Sequence, residues 1–408
     1  MPGPGTEVIG EEELAGVREV LRSGYLARYG PEAGFPAKVL RFEREVARLA
    51  GVEHALAVNS GTSALYLALT GLGIGPGDQV IVPGFTFVAS ISAIIHAGAH
   101  PVLAEVDGSF NLDPADVEAR ITPRTRAVLV VHMLGNAARL DELRRVAERH
   151  GVALIEDAAQ AFGGTYKGRW LGGHGDAGVF SFNIYKTITC GDGGMLVTDD
   201  EALYRRCFAL HDQGHSPYRT GVEVGRRPVL GLNFRMVELQ GAVLLAQLAK
   251  LDRIKSQLRV NRDIVRESLA NLPGLAFRDR PDPGGDLATH LVVVFPTAEV
   301  ARRIVEELGA ITLAASGWHV YSNMEHLLEG RTASGRGCPF GCSCERESAA
   351  GYHRGMLPRT DALLSRSMSI GIGVVDPNLA PLGLGMSAGP DRARQLADRI
   401  RSIIARHL

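Results

Sequence analysis

What most constrains this chain is an alternation that fills its first half: short, uninterrupted apolar runs separated by longer amphipathic stretches. The runs at residues 55–58, 80–82, 101–106, 127–131, 153–156, 178–182 and 194–197 lack the polar alternation of a half-exposed strand. Residues 62–72, 88–96, 114–120 and 140–150 carry the three-to-four-residue apolar spacing of helices. Strands that are apolar throughout must be covered on both faces, and a helix between successive strands is the connection that parallel pairing needs. The expected fold is therefore α/β, a large domain with a mainly parallel seven-stranded sheet covered by helices. On such a sheet, ligands bind beyond the carboxyl ends of the strands.

The second half differs. Residues 236–251 and 254–269 read as two long helices, and the Pro-, Gly- and Asp-rich residues 273–286 lead into a smaller α+β domain with a strand at 290–295 and a closing helix at 391–407. A length of 408 residues favours two domains over one. The expected divisions are an N-terminal segment (1–30) near the site, a large domain (31–252) and a smaller C-terminal domain (253–408). A formal charge of −1 points to neither nucleic acid nor a membrane surface as a partner. The apolar runs are too short to span a bilayer, and the first residues show no secretion signal. Five cysteines make no disulfide scaffold, so a cytoplasmic protein with reduced thiols is expected. Cys338, Cys342 and Cys344 fall close together in an irregular stretch, 330–355, with His353 nearby. A zinc site would require a second ligand pair, which the spacing does not offer, so no metal is expected.

Three segments carry chemistry. Asn59-Ser-Gly-Thr-Ser-Ala64 leaves a strand and opens a helix. Its glycine and free N–H groups could hold an anion, although the same residues make an ordinary helix cap. Val152-Ala-Leu-Ile-Glu-Asp157 ends an apolar strand in two carboxylates, where Asp157 either caps the following turn or faces a ligand. Lys186 follows the run 178–182 and precedes the glycine-dense Gly191-Asp-Gly-Gly194, a setting that favours a buried lysine over a solvated one. Burial lowers a lysine's pKa and leaves the free amine that imine chemistry requires. An anion cup, a carboxylate and a deprotonated amine are the parts that pyridoxal phosphate (PLP) needs: an anchor, a partner that keeps the pyridine protonated, and a Schiff-base lysine.

The order and wording of these pieces resemble the DegT/StrS-type sugar aminotransferases, which are fold-type I PLP enzymes. The matching text includes Ser60-Gly-Thr62, Gly75-Pro-Gly-Asp78, Pro83-Gly-Phe-Thr-Phe-Val-Ala-Ser90, Thr122-Pro-Arg-Thr125, Glu156-Asp-Ala-Ala-Gln160, Phe180-Ser-Phe182 with Lys186, and Leu232-Asn-Phe-Arg235. The resemblance implies that Lys186 forms the Schiff base and Asp157 partners the pyridine nitrogen. It places Gln160 beside the ring's phenolic oxygen, Phe87 on the ring face, and Gly61, Thr62 and Ser181 around the phosphate. Asn233 would reach the phosphate of the neighbouring subunit, which implies a homodimer with shared active sites. Related sugar dehydratases have histidine where this chain has Lys186, so transamination is favoured. Gly191-Asp-Gly-Gly194 departs from the commoner Gly-Glu-Gly-Gly but keeps the charge.

Expected substrates are glutamate or glutamine as donor and a keto- or aldehydo-sugar as acceptor, whether an eight-carbon sugar, a nucleotide-linked sugar or a keto-cyclitol. The pathway would make an amino sugar for an antibiotic or a cell-surface glycan. Arg28, His319 and Tyr321 are the candidate substrate contacts; for Tyr321, as for Trp318, core packing is the alternative. Competing readings are a dehydratase, epimerase or decarboxylase of the same fold, or a PLP-binding regulator without turnover. A dinucleotide-binding enzyme is disfavoured, because the glycines at 71–77 follow a helix rather than a strand.

Overall fold

The apolar runs assemble into one sheet. Its strands are β1 (His54–Val58), β2 (Gln79–Pro83), β3 (His100–Ala104), β4 (Thr125–Val131) and β5 (Ala153–Asp157), followed, after a small hairpin of β6 (Thr165–Tyr166) and β7 (Arg169–Trp170), by β8 (Ala177–Ser181) and β9 (Gly194–Thr198). The order across the sheet is β1-β9-β8-β5-β4-β2-β3. Pairing is parallel from β8 to β3, whereas β9 runs antiparallel to both β8 and β1. Between β8 and β9 there is no helix to return the chain to the starting edge, so β9 comes back reversed. That connection carries Lys186.

Both faces of the sheet are buried, as continuous apolar strands require. Along β4, Val128 and Val130 enter one apolar cluster while Ala127, Leu129 and Val131 enter the other. The helices Gly61–Gly71, Val88–His96, Pro114–Arg120 and Leu140–His150 lie between successive strands, as the periodicity predicts. The structure, a computed structural model, describes residues 2–28, 37–217, 225, 227–332, 339–340 and 351–408. The expected irregular stretch with Cys338, Cys342 and Cys344 lies largely outside these, and the cysteines do so entirely.

The two long helices are Glu238–Leu248 and Leu251–Leu269. The latter packs against the last helix, Gly389–His407. Beside them lies a second sheet, in the order β10 (Ala276–Phe277), β11 (His290–Val294), β12 (Ser367–Ile372), β13 (Gly383–Leu384). Strand β12 is buried along its whole length although it reads Ser-Met-Ser-Ile-Gly-Ile. Its small polar residues gave no strand signal, and its burial comes from pairing between β11 and β13.

Candidate active site

At the carboxyl edge of the large sheet, Val58 of β1 and Ser181 of β8 are both registered on Gly194 of β9. The chain leaves β1 through Ser60, whose hydroxyl accepts the Ser63 N–H at 3.1 Å and caps the helix Gly61–Gly71. The capping role thus falls to Ser60. The first-turn N–H groups at Gly61 and Thr62 have no partner within the helix, and both residues line a cavity. A Cβ on Gly61 would lie 2.8 Å from the Ser181 Cβ, and one on Gly194 would lie 2.3 Å from the Ser60 carbonyl carbon. Two glycines therefore bring a helix N-terminus, a strand end and the hydroxyls of Thr62 and Ser181 into one concavity suited to an anion.

Asp157 ends β5 and does both things the sequence allowed. Its Oδ1 accepts the Ala159 N–H at 3.1 Å, forming the turn, and its carboxylate lines the cavity. Its Oδ2 accepts the hydroxyl of Ser90 at 2.7 Å. Burial pushes the Asp157 carboxyl up; the Ser90 and Ala159 hydrogen bonds and the charge of Lys186 oppose that shift. Neighbouring Glu156 is also fully buried, and it accepts from His132 Nε2 (2.9 Å) and from the N–H groups of Gly172, His174 and Gly175 (2.9, 2.6 and 2.6 Å). His132 Nδ1 accepts the Ala138 N–H, so its ring proton sits on Nε2. Burial would raise Glu156, but the His132 hydrogen bond, with the backbone donors, holds it below the usual carboxylate range.

Lys186 sits in the loop between β8 and β9, and that loop is held from several sides. Gln247 accepts the Thr189 N–H and donates to the Gly5 carbonyl, both at 2.8 Å, and the Gly3 N–H donates to the Ile184 carbonyl at 2.7 Å. A Cβ on Gly3 would stand 2.5 Å from the Tyr185 carbonyl carbon, so only glycine lets the N-terminal segment lie on this backbone. Burial lowers the Lys186 pKa, with the carboxylates of Asp157 and Asp376 pulling the other way.

Gly61, Thr62, Phe87, Asp157, Gln160, Ser181 and Lys186 all line one cavity of about 570 Å³, a volume typical of cofactor and small-molecule sites. The Leu134 N–H donates to Gln160 Oε1 at 2.8 Å, which leaves the amide NH₂ as the group available to a ligand.

The model of the DegT/DnrJ/EryC1/StrS aminotransferase family matches residues 7–325. The chain belongs to this family. It is a PLP-dependent aminotransferase of fold type I. It is 46% identical over 215 residues to GDP-perosamine synthase of Caulobacter vibrioides, covering 52% of this chain and 57% of that protein. It thus spans little more than half of that relative's length. With the L-glutamine:2-deoxy-scyllo-inosose aminotransferase of Streptoalloteichus tenebrarius it shares 40% identity over 311 residues, 72% of this chain and 73% of the other. DesV of S. venezuelae, solved in complex with a ketimine intermediate, superposes with a TM-score of 0.76 at 33% identity, over 97% of this chain and 94% of that one.

The DegT/DnrJ/EryC1/StrS site has room for PLP by observation. Gly61 lets the helix N-terminus close on Ser181 to form the concavity suited to the phosphate, a buried carboxylate faces the cavity, and a lysine stands in its wall. Of the substrate-side residues, His319 lines the cavity, its ring centroid 5.2 Å from that of Phe87. Burial drives its pKa down to about 4, so the ring is neutral. Arg28 instead pairs with Glu43 and covers the Phe208 ring, and Tyr321 is fully buried with its hydroxyl donating to Asp361 at 2.8 Å. Neither is among the residues lining this cavity, and Asn233 lies on an exposed segment apart from it. Among the lining residues that the sequence did not single out are Ser90, Asp376 and Asn378. Ser90 was legible only as one letter of a motif. The other two come from the loop after β12, which carried no signal. Among the described residues no group of His, Cys, Asp and Glu could hold a metal ion, and no helix is long and apolar enough to cross a membrane.

Proposed function

We propose that this aminotransferase moves the amino group of glutamate or glutamine to the carbonyl carbon of a keto- or aldehydo-sugar, or of a keto-cyclitol, in the making of an amino sugar. The observation that carries this reading is the shared cavity wall of the Lys186 amine and the Asp157 carboxylate, with the Gly61–Ser181 concavity at one end. Bound PLP supplies an electrophilic carbon for imine formation and a protonated ring that accepts electrons. The chain supplies the rest. Asp157, fixed by Ser90 and Ala159, holds the proton on the ring nitrogen. Gly61, Thr62 and Ser181 would hold the phosphate, the NH₂ of Gln160 would be free to donate to the phenolic oxygen, and Phe87 would cover one ring face. Lys186, whose pKa burial lowers so that the amine is available unprotonated, would move the proton at the donor's α-carbon. Such positioned acid–base catalysis contributes roughly 10²–10⁴-fold.

The relatives' names support an acceptor that is either a nucleotide-linked sugar or a cyclitol, and the second of them supports glutamine as donor. His319, whose neutral ring lines the cavity beside Phe87, is the favoured substrate contact of the three; Arg28 is engaged by Glu43 and Tyr321 by Asp361. A homodimer with shared sites fits the exposure of Leu230 (98%), Leu232 (56%) and Val237 (41%) around Asn233, an apolar patch that a second copy would cover.

Lys186→Ala tests the proposal. It should abolish both the visible Schiff-base absorption and turnover, and retention of either refutes it. Transfer of ¹⁵N from labelled glutamine to the product separates transamination from dehydration, epimerisation or decarboxylation.

A further inference from the structure

Behind Lys186 lies a second cavity of about 40 Å³, lined in part by Gln160, Thr187, Thr289, His290, His319 and Asp376. Asp376 is the one carboxylate that also lines the larger cavity, so it stands at the junction of the two. It belongs to the smaller domain, in the loop between β12 and β13, and that loop is rigidly tied. Asp376 Oδ1 accepts the Asn378 N–H at 2.8 Å, and the Asp376 carbonyl accepts the N–H groups of Leu379 (3.2 Å) and Ala380 (2.8 Å).

The charged and titratable groups around the Lys186 amine are few. From β5 comes Asp157, from β11 His290, from the turn before Tyr321 His319, and from the lysine's own loop Tyr185. Asp192 on the glycine turn lines the larger cavity but is engaged by the amide of Asn183 at 3.0 Å. Burial drives His290 to about 3 and His319 to about 4, so both rings are neutral. Only Asp157 and Asp376 act on the lysine as opposite charges. With PLP bound, the charge of Asp157 is balanced by the protonated pyridine nitrogen that it holds. Asp376 is the carboxylate left to balance a cation on the lysine nitrogen.

We propose that Asp376 is a positioning residue for Lys186, a counter-charge which the smaller domain extends across the cavity to hold the proton on the lysine nitrogen. This rests on the cofactor reading above. Asp376 acts through its charge alone, on the proton carried by the Schiff-base nitrogen. The proton affinity of the lysine then depends on where the smaller domain sits, which links the chemistry to the packing of the two domains.

The test is a spectrophotometric pH titration of the Schiff base in the PLP-loaded protein and in D376N and D376E. Asparagine keeps the oxygen that accepts the Asn378 N–H, so the turn should survive. Loss of a nearby opposite charge shifts a titration by about 1–3 units, so D376N should release the Schiff-base proton roughly one pH unit lower, a tenfold weaker hold. D376E should recover most of that shift. The rate of the donor half-reaction should move along the pH axis in the same sense, while the KM for the amino donor stays unchanged. An unchanged midpoint in D376N overturns the inference. If D376N does not fold, D376S, which also offers an oxygen to the turn, is read by the same criterion. A parent protein that forms no Schiff base at all defeats the cofactor reading, and this inference with it; a parent that forms one while D376N titrates identically defeats this inference alone.

Discussion

Replacing Glu156 by glutamine is the sharpest probe of the scaffold that carries Asp157. The carboxylate has no exposure and receives four donors: His132 Nε2 and the N–H groups of Gly172, His174 and Gly175. A glutamine can place its single oxygen toward His174 and Gly175, the pair on Oε1. Its NH₂ then faces the Gly172 N–H and the His132 ring proton, two donors meeting a donor. His132 cannot relieve this by moving its proton to Nδ1, because that nitrogen accepts the Ala138 N–H. Each orphaned buried donor costs about 1–3 kcal/mol, so Glu156→Gln should destabilise the protein by about 4 kcal/mol. That is a large share of an ordinary stability of about 5–15 kcal/mol. Urea unfolding of the cofactor-free protein, followed by circular dichroism, should show a midpoint lower by at least about 1 M. The pH dependence provides a second readout. The folded Glu156 carboxyl lies below its ordinary range, so its contribution is full above that range and is lost as pH falls through the lowered value. Glutamine does not titrate, and the gap between the two proteins should therefore narrow in acid. A destabilisation under about 1 kcal/mol at neutral pH, or a gap constant down to the acid transition, would refute the argument.

Gly61→Ala should weaken PLP binding by roughly 5–30-fold in equilibrium dialysis, because a Cβ 2.8 Å from Ser181 opens the concavity at an overpacking cost of about 1–2 kcal/mol. Alanine's better helix propensity, at most about 1 kcal/mol, works in the opposite direction and should appear as retained helicity. Asp157→Asn should lose most turnover yet stabilise the cofactor-free protein at neutral pH. Asp157's folded pKa is raised, so its ionised form penalises folding above that value, and the advantage of asparagine should vanish below the ordinary carboxylate range. Thermal melts across pH check the sign. Arg28→Met should cost about 3–5 kcal/mol in chemical denaturation by stranding the buried Glu43 carboxylate, with the KM for the acceptor little changed.

Much of the large domain was legible because burial on both sheet faces leaves a direct trace in composition. A strand such as β4 must be apolar at every inward position on either side, so its run of Ala, Val and Leu marks it wherever the chain goes. Glycines forced by close approach, such as Gly61 and Gly194, were legible for a related reason: the contact forbids any larger residue. Asp157 stood out as a charged group at the end of an apolar strand, and Lys186 as one set between such a strand and a glycine-dense turn. The reversed direction of β9 had no such trace, since an apolar strand looks the same from either end. Nor did β12, which pairing buries despite its serines.

The amino-acid sequence by itself determined which segments are buried, and that a carboxylate ends one of them while a lysine follows another. Tertiary structure alone decided what those two groups meet. Ser90 reaches Asp157 from a helix 67 residues away in sequence, and Asp376 comes to Lys186 from another domain. A hydroxyl or a carboxylate can stand on any surface at little cost, so nothing in its own neighbourhood records a distant partner. Only the folding of the two domains onto one cavity specifies that contact.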